Sequence, residues 1–325
     1  MKDAPMILHT VSQPWNAPLT QSEYSLTLYF LAFTALAFFA AFLRAIIKRS
    51  EIGARYRDVT VARTGIVGIT LIAYVFLVAS FLGGYTLEDG VYLPNPNAFL
   101  AFTPRYIEWS IAVPLLCAEL LVVCTLVGET ARRTRSLAMG GAFLMIFTGF
   151  IGAVVIDNGQ DLTALIVWGA ISTVFWIITT VVLIRAVKQS LPNLTPESAR
   201  LLRRATVLLL SCWFVYPLVY LIPIFFSGGG WATVTQIAFC ITDLVVKIGF
   251  GTLLWRVAKL RTAEDVRAGN DMHPESIWIS SVKQSDAGLP VEVHLAEGAA
   301  IHTRRVKPPT GSAVASATAA EEYVE

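Results

Sequence analysis

Seven apolar runs, at roughly 24–47, 60–82, 104–127, 137–156, 162–187, 203–226 and 231–257, limit what this chain can fold into. Each is close to the ~20 residues that a helix needs to cross a bilayer. With 55% hydrophobic and 15% charged residues, the 325-residue chain is too apolar for a soluble domain. The expectation is an all-α membrane protein, a seven-transmembrane-helix bundle. The connections after the first, third and fifth runs carry Lys48, Arg49, Arg55 and Arg57, then Arg132, Arg133 and Arg135, then Lys188, Arg200 and Arg203, and Lys259 and Arg261 follow the seventh. The opposite connections, 83–103, 157–161 and 226–230, hold Glu88, Asp89, Asp157 and Asp161 and no lysine or arginine. Basic loops stay in the cytoplasm, so the amino terminus is expected outside and the carboxyl terminus inside.

The expected organisation is an extracellular segment 1–22, a bundle 23–260 and a cytoplasmic tail 261–325. The tail is rich in Ala, Ser, Thr, Pro and charge, which predicts mostly disorder. Two short β-prone runs interrupt it, Ile277-Trp278-Ile279 and Val291-Glu292-Val293. In the 83–103 connection, turn formers around Val91-Tyr92-Leu93 predict a short hairpin. Cys117, Cys124, Cys212 and Cys240 all fall in apolar runs, as small buried hydrophobes do. No Cys/His cluster has metal spacing, so no metal site is expected, and nothing suggests a nucleic-acid partner. Residues 1–20 lack the pattern of a signal peptide.

Charges inside the apolar runs carry the functional information, because one near the bilayer centre costs at least ~2.5–3.5 kcal/mol. In the seventh run, Asp243 and Lys247 are spaced i, i+4 and share a helix face. They either neutralise one another or set up a desolvated lysine amine that condenses with a carbonyl ligand, with Asp243 as counterion. The third run adds Arg105, Glu108 and Glu119, which share a face with Ala112 at 3.6 residues per turn. Glu119 lies eleven residues beyond Glu108, about 16 Å along the axis. The sixth run places Trp213, Tyr216, Pro217 and Tyr220 at i, i+3, i+4, i+7. Such a stripe serves as core packing or as ligand walls. With Trp109, Trp168 and Trp176 from other runs, it suits a long, flat, conjugated ligand.

These residues resemble the microbial rhodopsins. The matching signatures are Arg105-Tyr106-x-x-Trp109-x-x-x-x-Pro114-Leu115-Leu116, Trp213-x-x-Tyr216-Pro217 and Asp243-x-x-x-Lys247-x-Gly249-Phe250. The resemblance implies all-trans retinal bound covalently to Lys247 as a protonated Schiff base, with Glu108 and Asp243 as counterions and proton acceptor and Arg105 in support. It further implies a pocket lined by Trp109, Val113, Leu116, Met145, Gly149, Trp168, Ser172, Thr173, Trp176, Trp213, Tyr216, Pro217 and Tyr220. The protein would be no enzyme but a multi-pass plasma-membrane photoreceptor or pump, working in the lipid bilayer as a homo-oligomer, trimer or pentamer. A signalling transducer would act through the tail. A receptor without retinal is the third class, and it leaves Lys247 without a ligand.

The family's outward proton pumps keep carboxylates at the positions matched by Glu108 and Glu119, the latter as cytoplasmic proton donor. Three departures weaken that reading. Ala112 replaces a threonine whose hydroxyl supports the acceptor, and no carboxylate occurs between Phe225 and Ile241 to release protons outside. The third is Arg63, which either snorkels to the headgroups or faces Glu119. In the second case it holds Glu119 ionised and makes it a poor proton donor, slowing reprotonation so that a deprotonated Schiff-base intermediate accumulates. An arginine there resembles the cryorhodopsin group, whose members are slow and are thought to be sensors. Light sensing with a slow photocycle is therefore expected, with a light-driven outward proton pump as the alternative. Gly169 is a close-packing site or, as in the xanthorhodopsin-like group, a window for a carotenoid antenna.

Overall fold

The computed structural model describes residues 11–267, together with the backbone of three short strands beyond them. The bundle comprises α1 (Gln21–Ile47), α2 (Arg57–Gly83), α3 (Pro104–Val122), α4 (Gly128–Phe150) and α5 (Leu162–Ser190), a sixth span made of α6 (Pro196–Trp213) and α7 (Val215–Phe225), and a seventh made of α8 (Gly229–Asp243) and α9 (Gly251–Arg267). Between α8 and α9 the chain passes through a π-helical turn, Leu244–Phe250, which contains Lys247.

Among the described residues, six helical segments are apolar and long enough to cross a membrane by composition. The remaining span, α3, is the one that carries Arg105, Glu108 and Glu119. It packs between α2 and α4, so its charges are enclosed by neighbouring helices instead of lipid. The outer faces carry the large apolar side chains, including Ile47, Phe76, Ile107 and Leu218, as a lipid-facing surface does.

Local chemistry sets the helix ends. Thr20 and Glu23 form a capping box at the start of α1, and the Asp161 carboxylate accepts from Thr163 and Ala164 at the start of α5. Pro217 removes the bond to the carbonyl four residues back, and the sixth span breaks between Trp213 and Val215. Three boundaries differ from the apolar runs. α3 stops at Val122, not 127, and α4 and α6 begin well before theirs, placing Arg132, Arg133, Arg135, Arg200 and Arg203 on helices and not in connections. Hydropathy marks where lipid ends; the helices run on into water.

The expected hairpin is present as β2 (Tyr85–Glu88) and β3 (Val91–Pro94), joined through Asp89 and Gly90, both at positive φ. β1 (Leu19–Thr20) adds a third strand. Beyond the bundle, β4 (Ile277–Ile279) pairs with β5 (Val282–Gln284), and β5 pairs with β6 (Glu292–His294). The two β-prone runs therefore share a middle strand and do not pair directly. The rest of the tail, and residues 1–10 of the amino-terminal segment, lie outside the described residues.

Candidate functional site

At the centre of the bundle Lys247 Nζ lies 2.7 Å from Glu108 Oε2 and 3.0 Å from Asp243 Oδ1, with all three side chains buried. One ammonium thus has two carboxylates. Asp243 is anchored by three donors: the Tyr74 hydroxyl at 2.9 Å to Oδ2, and the Tyr216 hydroxyl at 2.7 Å and Trp109 Nε1 at 3.4 Å to Oδ1. Glu108 receives the Thr70 hydroxyl at 2.6 Å. The hydroxyl lost at Ala112 is therefore supplied from α2.

Arg105 is buried, but it makes no ion pair with either carboxylate. Its guanidinium sits 5.4 Å from the ring centroids of both Tyr74 and Phe239, and Nη1 donates weakly to the Ala101 carbonyl at 3.4 Å. Its link to Asp243 runs through Tyr74, which it touches on the ring face and which donates to Asp243. It balances the charge of the site from one turn away, so that two cations face two carboxylates.

Arg63 settles into the protein and not into the headgroups. It is 8% exposed, with Nη1 donating to the Lys247 carbonyl at 2.8 Å and Nη2 to the Ile248 carbonyl at 3.2 Å. Nη1 also lies 3.9 Å from Glu119 Oε1, and among the described residues no side chain or backbone group hydrogen-bonds either oxygen of the fully buried Glu119. The π-helical turn presents those two carbonyls sideways, where a guanidinium from α2 can reach them. Space for it exists because residue 251 is glycine: a Cβ there would fall 1.1 Å from Arg63 Nη1.

Beside the charged cluster is a cavity of about 400 Å³, within the ~300–1,000 Å³ range of small-molecule sites. Trp109 and Tyr216 form its inner wall, and the same two side chains donate to Asp243 Oδ1. Val113, Met145, Gly149, Ser172, Thr173, Trp176, Trp213, Pro217 and Tyr220 also line it. Leu116 and Trp168 do not. Leu116 is fully buried in the bundle's main core, and Trp168 packs its Cβ against Gly152. Tyr106 and Phe239 add walls that were not expected. Gly169 also lines the cavity, near the exposed Ile166, Leu218 and Leu221, but a Cβ on it would meet the Tyr220 ring at 2.9 Å. Close packing with Tyr220 accounts for this glycine.

Residues 24–260 match the family model described as "Bacteriorhodopsin-like protein". The chain belongs to that family. Among similar proteins are the bacteriorhodopsin of Haloterrigena sp. (strain arg-4), 32% identical over 49% of this chain, and archaerhodopsin-3 of Halorubrum sodomense, 29% identical over 47%. The matched part spans 60% and 56% of those two relatives. Among solved structures, xanthorhodopsin, described as a light-driven ion pump with dual chromophore, superposes with a TM-score of 0.70 at 27% identity, covering 76% of this chain and 98% of its own. Thermophilic rhodopsin gives 0.71, also at 27% identity, over 77% and 98%. The protein is a microbial rhodopsin, a multi-pass membrane protein whose family implies a retinal chromophore. The residues fit that group, since an apolar, indole-walled cavity abuts a buried lysine amine that two carboxylates already accompany.

Thr70, Tyr74 and Gly251 were missing from the residues expected from sequence. Thr70 and Tyr74 carried a usable signal, because Arg63, Thr70 and Tyr74 fall at i, i+7 and i+11 on one face of α2. Gly251 carried none, since its importance depends on which side chain lies opposite.

Proposed function

We propose that this rhodopsin is a light sensor with a slow photocycle, oriented in the plasma membrane with its arginine-rich end in the cytoplasm. In this reading Lys247 holds all-trans retinal covalently. Retinal bound there would supply visible absorption and an iminium proton whose hold weakens under light. Glu108, in hydrogen-bond contact with Lys247 Nζ, would accept that proton, and Asp243 would remain as the negative charge fixed by three donors. Homo-oligomers, as trimers or pentamers, and a transducer engaged through the tail complete the proposal.

The observation that carries the slow reading is the place of Arg63. It stands between Glu119 and the Lys247 backbone, bonded to the latter and paired with the former. A proton arriving on Glu119 must displace a buried ion pair, and no side chain among the described residues hydrogen-bonds Glu119 to relay it onward. Flash spectroscopy tests this. A state with the proton on Glu108 should persist for seconds or longer and shorten in Arg63→Ala; decay within milliseconds that the variant leaves unchanged would refute the reading.

A light-driven outward proton pump is the second reading. It is supported by the carboxylates at Glu108 and Glu119 and by xanthorhodopsin, whose description names it an ion pump. Robust acidification of a cell suspension under light, abolished by an uncoupler, would favour the pump over the sensor.

A further inference from the structure

A second cavity, of about 370 Å³, lies between α1, α2 and the seventh span at the arginine-rich end of the bundle. Its lining contains Arg44, Lys48 and Arg63 and no carboxylate. Arg44 is exposed and has no ion-pair partner among the described residues. Lys48 is half-exposed and lies 3.3 Å from Glu51, but Glu51 also receives Lys259 at 2.7 Å, so one carboxylate serves two ammoniums. Trp255 forms a wall, with Lys48 and Lys259 lying 5.2 and 5.0 Å from its ring centroid. Four alanines of α1 between positions 37 and 45 keep the α1 side of the cavity hollow.

Three like charges around one hollow repel, and an anion among them removes the repulsion while gaining charge-assisted hydrogen bonds. Arginine and lysine together match phosphate, with a planar fork on one side and point charges on the other. We propose that this cavity is a binding site for a phosphate group, carried by an anionic lipid headgroup or by free phosphate. For a lipid, the alanine furrow accepts the first part of an acyl chain below the headgroup, and the site lies on the side where anionic lipids concentrate. Arg63 has the cavity on one side and Glu119 on the other, so an occupant shares its guanidinium with Glu119. The site itself stands whether the protein is a sensor or a pump.

The test compares wild type with the double variant Arg44→Gln/Lys48→Gln in nanodiscs of phosphatidylglycerol or phosphatidylcholine. Native mass spectrometry then reads lipid retained after transfer to detergent, and inorganic phosphate is titrated in as a competitor. Both substituted residues are exposed or half-exposed, and thermal unfolding checks that the variant is intact. Each cation near the surface is worth about fivefold in affinity, so the double variant should lose about 25-fold in phosphatidylglycerol retention. The charge-conserving variant Arg44→Lys/Lys48→Arg should keep it. Retention that depends on Arg44 and Lys48 but ignores phosphate identifies a lipid; release by phosphate in wild type identifies a site open to the free anion. Equal retention of both lipids in wild type and double variant, with no phosphate effect in either, overturns the proposal.

Discussion

Gly251→Ala isolates the placement of Arg63 without touching a charge. The added Cβ would fall 1.1 Å from Arg63 Nη1, and the guanidinium, as the end of a flexible side chain, must move. Moving forfeits its hydrogen bonds to the Lys247 and Ile248 carbonyls, worth about 1.5–3 kcal/mol each for a charged donor. Alanine's advantage over glycine in a helix returns about 1 kcal/mol, leaving a net destabilisation of about 2–5 kcal/mol. In an Arg63→Ala background the clash disappears, and the same substitution should stabilise by about 1 kcal/mol. The two residues should therefore be coupled by about 3–6 kcal/mol in a double-mutant cycle. Unfolding by sodium dodecyl sulfate in mixed micelles, followed by circular dichroism, measures all four corners. If Gly251→Ala alone does not fold, recovery of folding by Arg63→Ala carries the same information. An equal cost of Gly251→Ala in both backgrounds would refute the argument, because Arg63 would then not be what the glycine accommodates.

Tyr74→Phe removes one of three donors to Asp243 and should destabilise by about 1.5–3 kcal/mol while moving the midpoint of the dark-state colour titration; an unmoved midpoint would mean that Tyr74 is only packing. At the arginine-rich end, burial pushes the Glu51 carboxyl up, but the hydrogen bonds and charges of Lys259 and then Lys48 outweigh it, and the group sits below the ordinary carboxylate range. A depressed carboxyl stabilises the fold above its unfolded value and loses that contribution as pH falls through the folded one. Thermal midpoints should thus drop on acidification by more in wild type than in Glu51→Gln, by about 1 kcal/mol or less for a partly buried pair still open to solvent. Because Tyr220 fills the space over Gly169, an added hydroxylated carotenoid should transfer no excitation to retinal; a carotenoid band in the retinal excitation spectrum would contradict this.

Much of the fold was legible because lipid imposes a simple rule: apolar runs of the right length become spans. The rule fails at helix ends, where Arg132 or Arg200 continue a helix that hydropathy has stopped tracking. At the site, Lys247, Glu108 and Asp243 were legible because a charge in an apolar run needs a reason. Thr70 and Tyr74 were harder, since hydroxyls in such runs are commonplace and only their alignment with Arg63 distinguishes them. Two features lay beyond sequence pattern. The π-helical turn at Leu244–Phe250 has no residue signature, yet it turns the Lys247 and Ile248 carbonyls toward α2. Arg105 is expected in support of the counterions, and what sequence pattern does not show is that the ring faces of Tyr74 and Phe239 hold it.

The two sides of Lys247 are built differently, and that difference bears on kinetics. On the Glu108 side every step is within hydrogen-bond reach: the amine touches both carboxylates, and Thr70, Tyr74, Tyr216 and Trp109 hold them in place. Little has to reorganise for a proton to leave toward Glu108. On the other side the lysine offers only its backbone carbonyl, already bonded to Arg63, and the next carboxylate, Glu119, accepts no hydrogen bond from any described residue. A proton returning that way must cross an apolar stretch and pass a fixed cation. The slow photocycle proposed above rests on this asymmetry between departure and return. A relay that depends on water entering beside Arg63 should then quicken in Arg63→Ala far more than in Thr70→Val, which alters only the departure side. The opposite ranking in flash decay would place the slow step at Glu108.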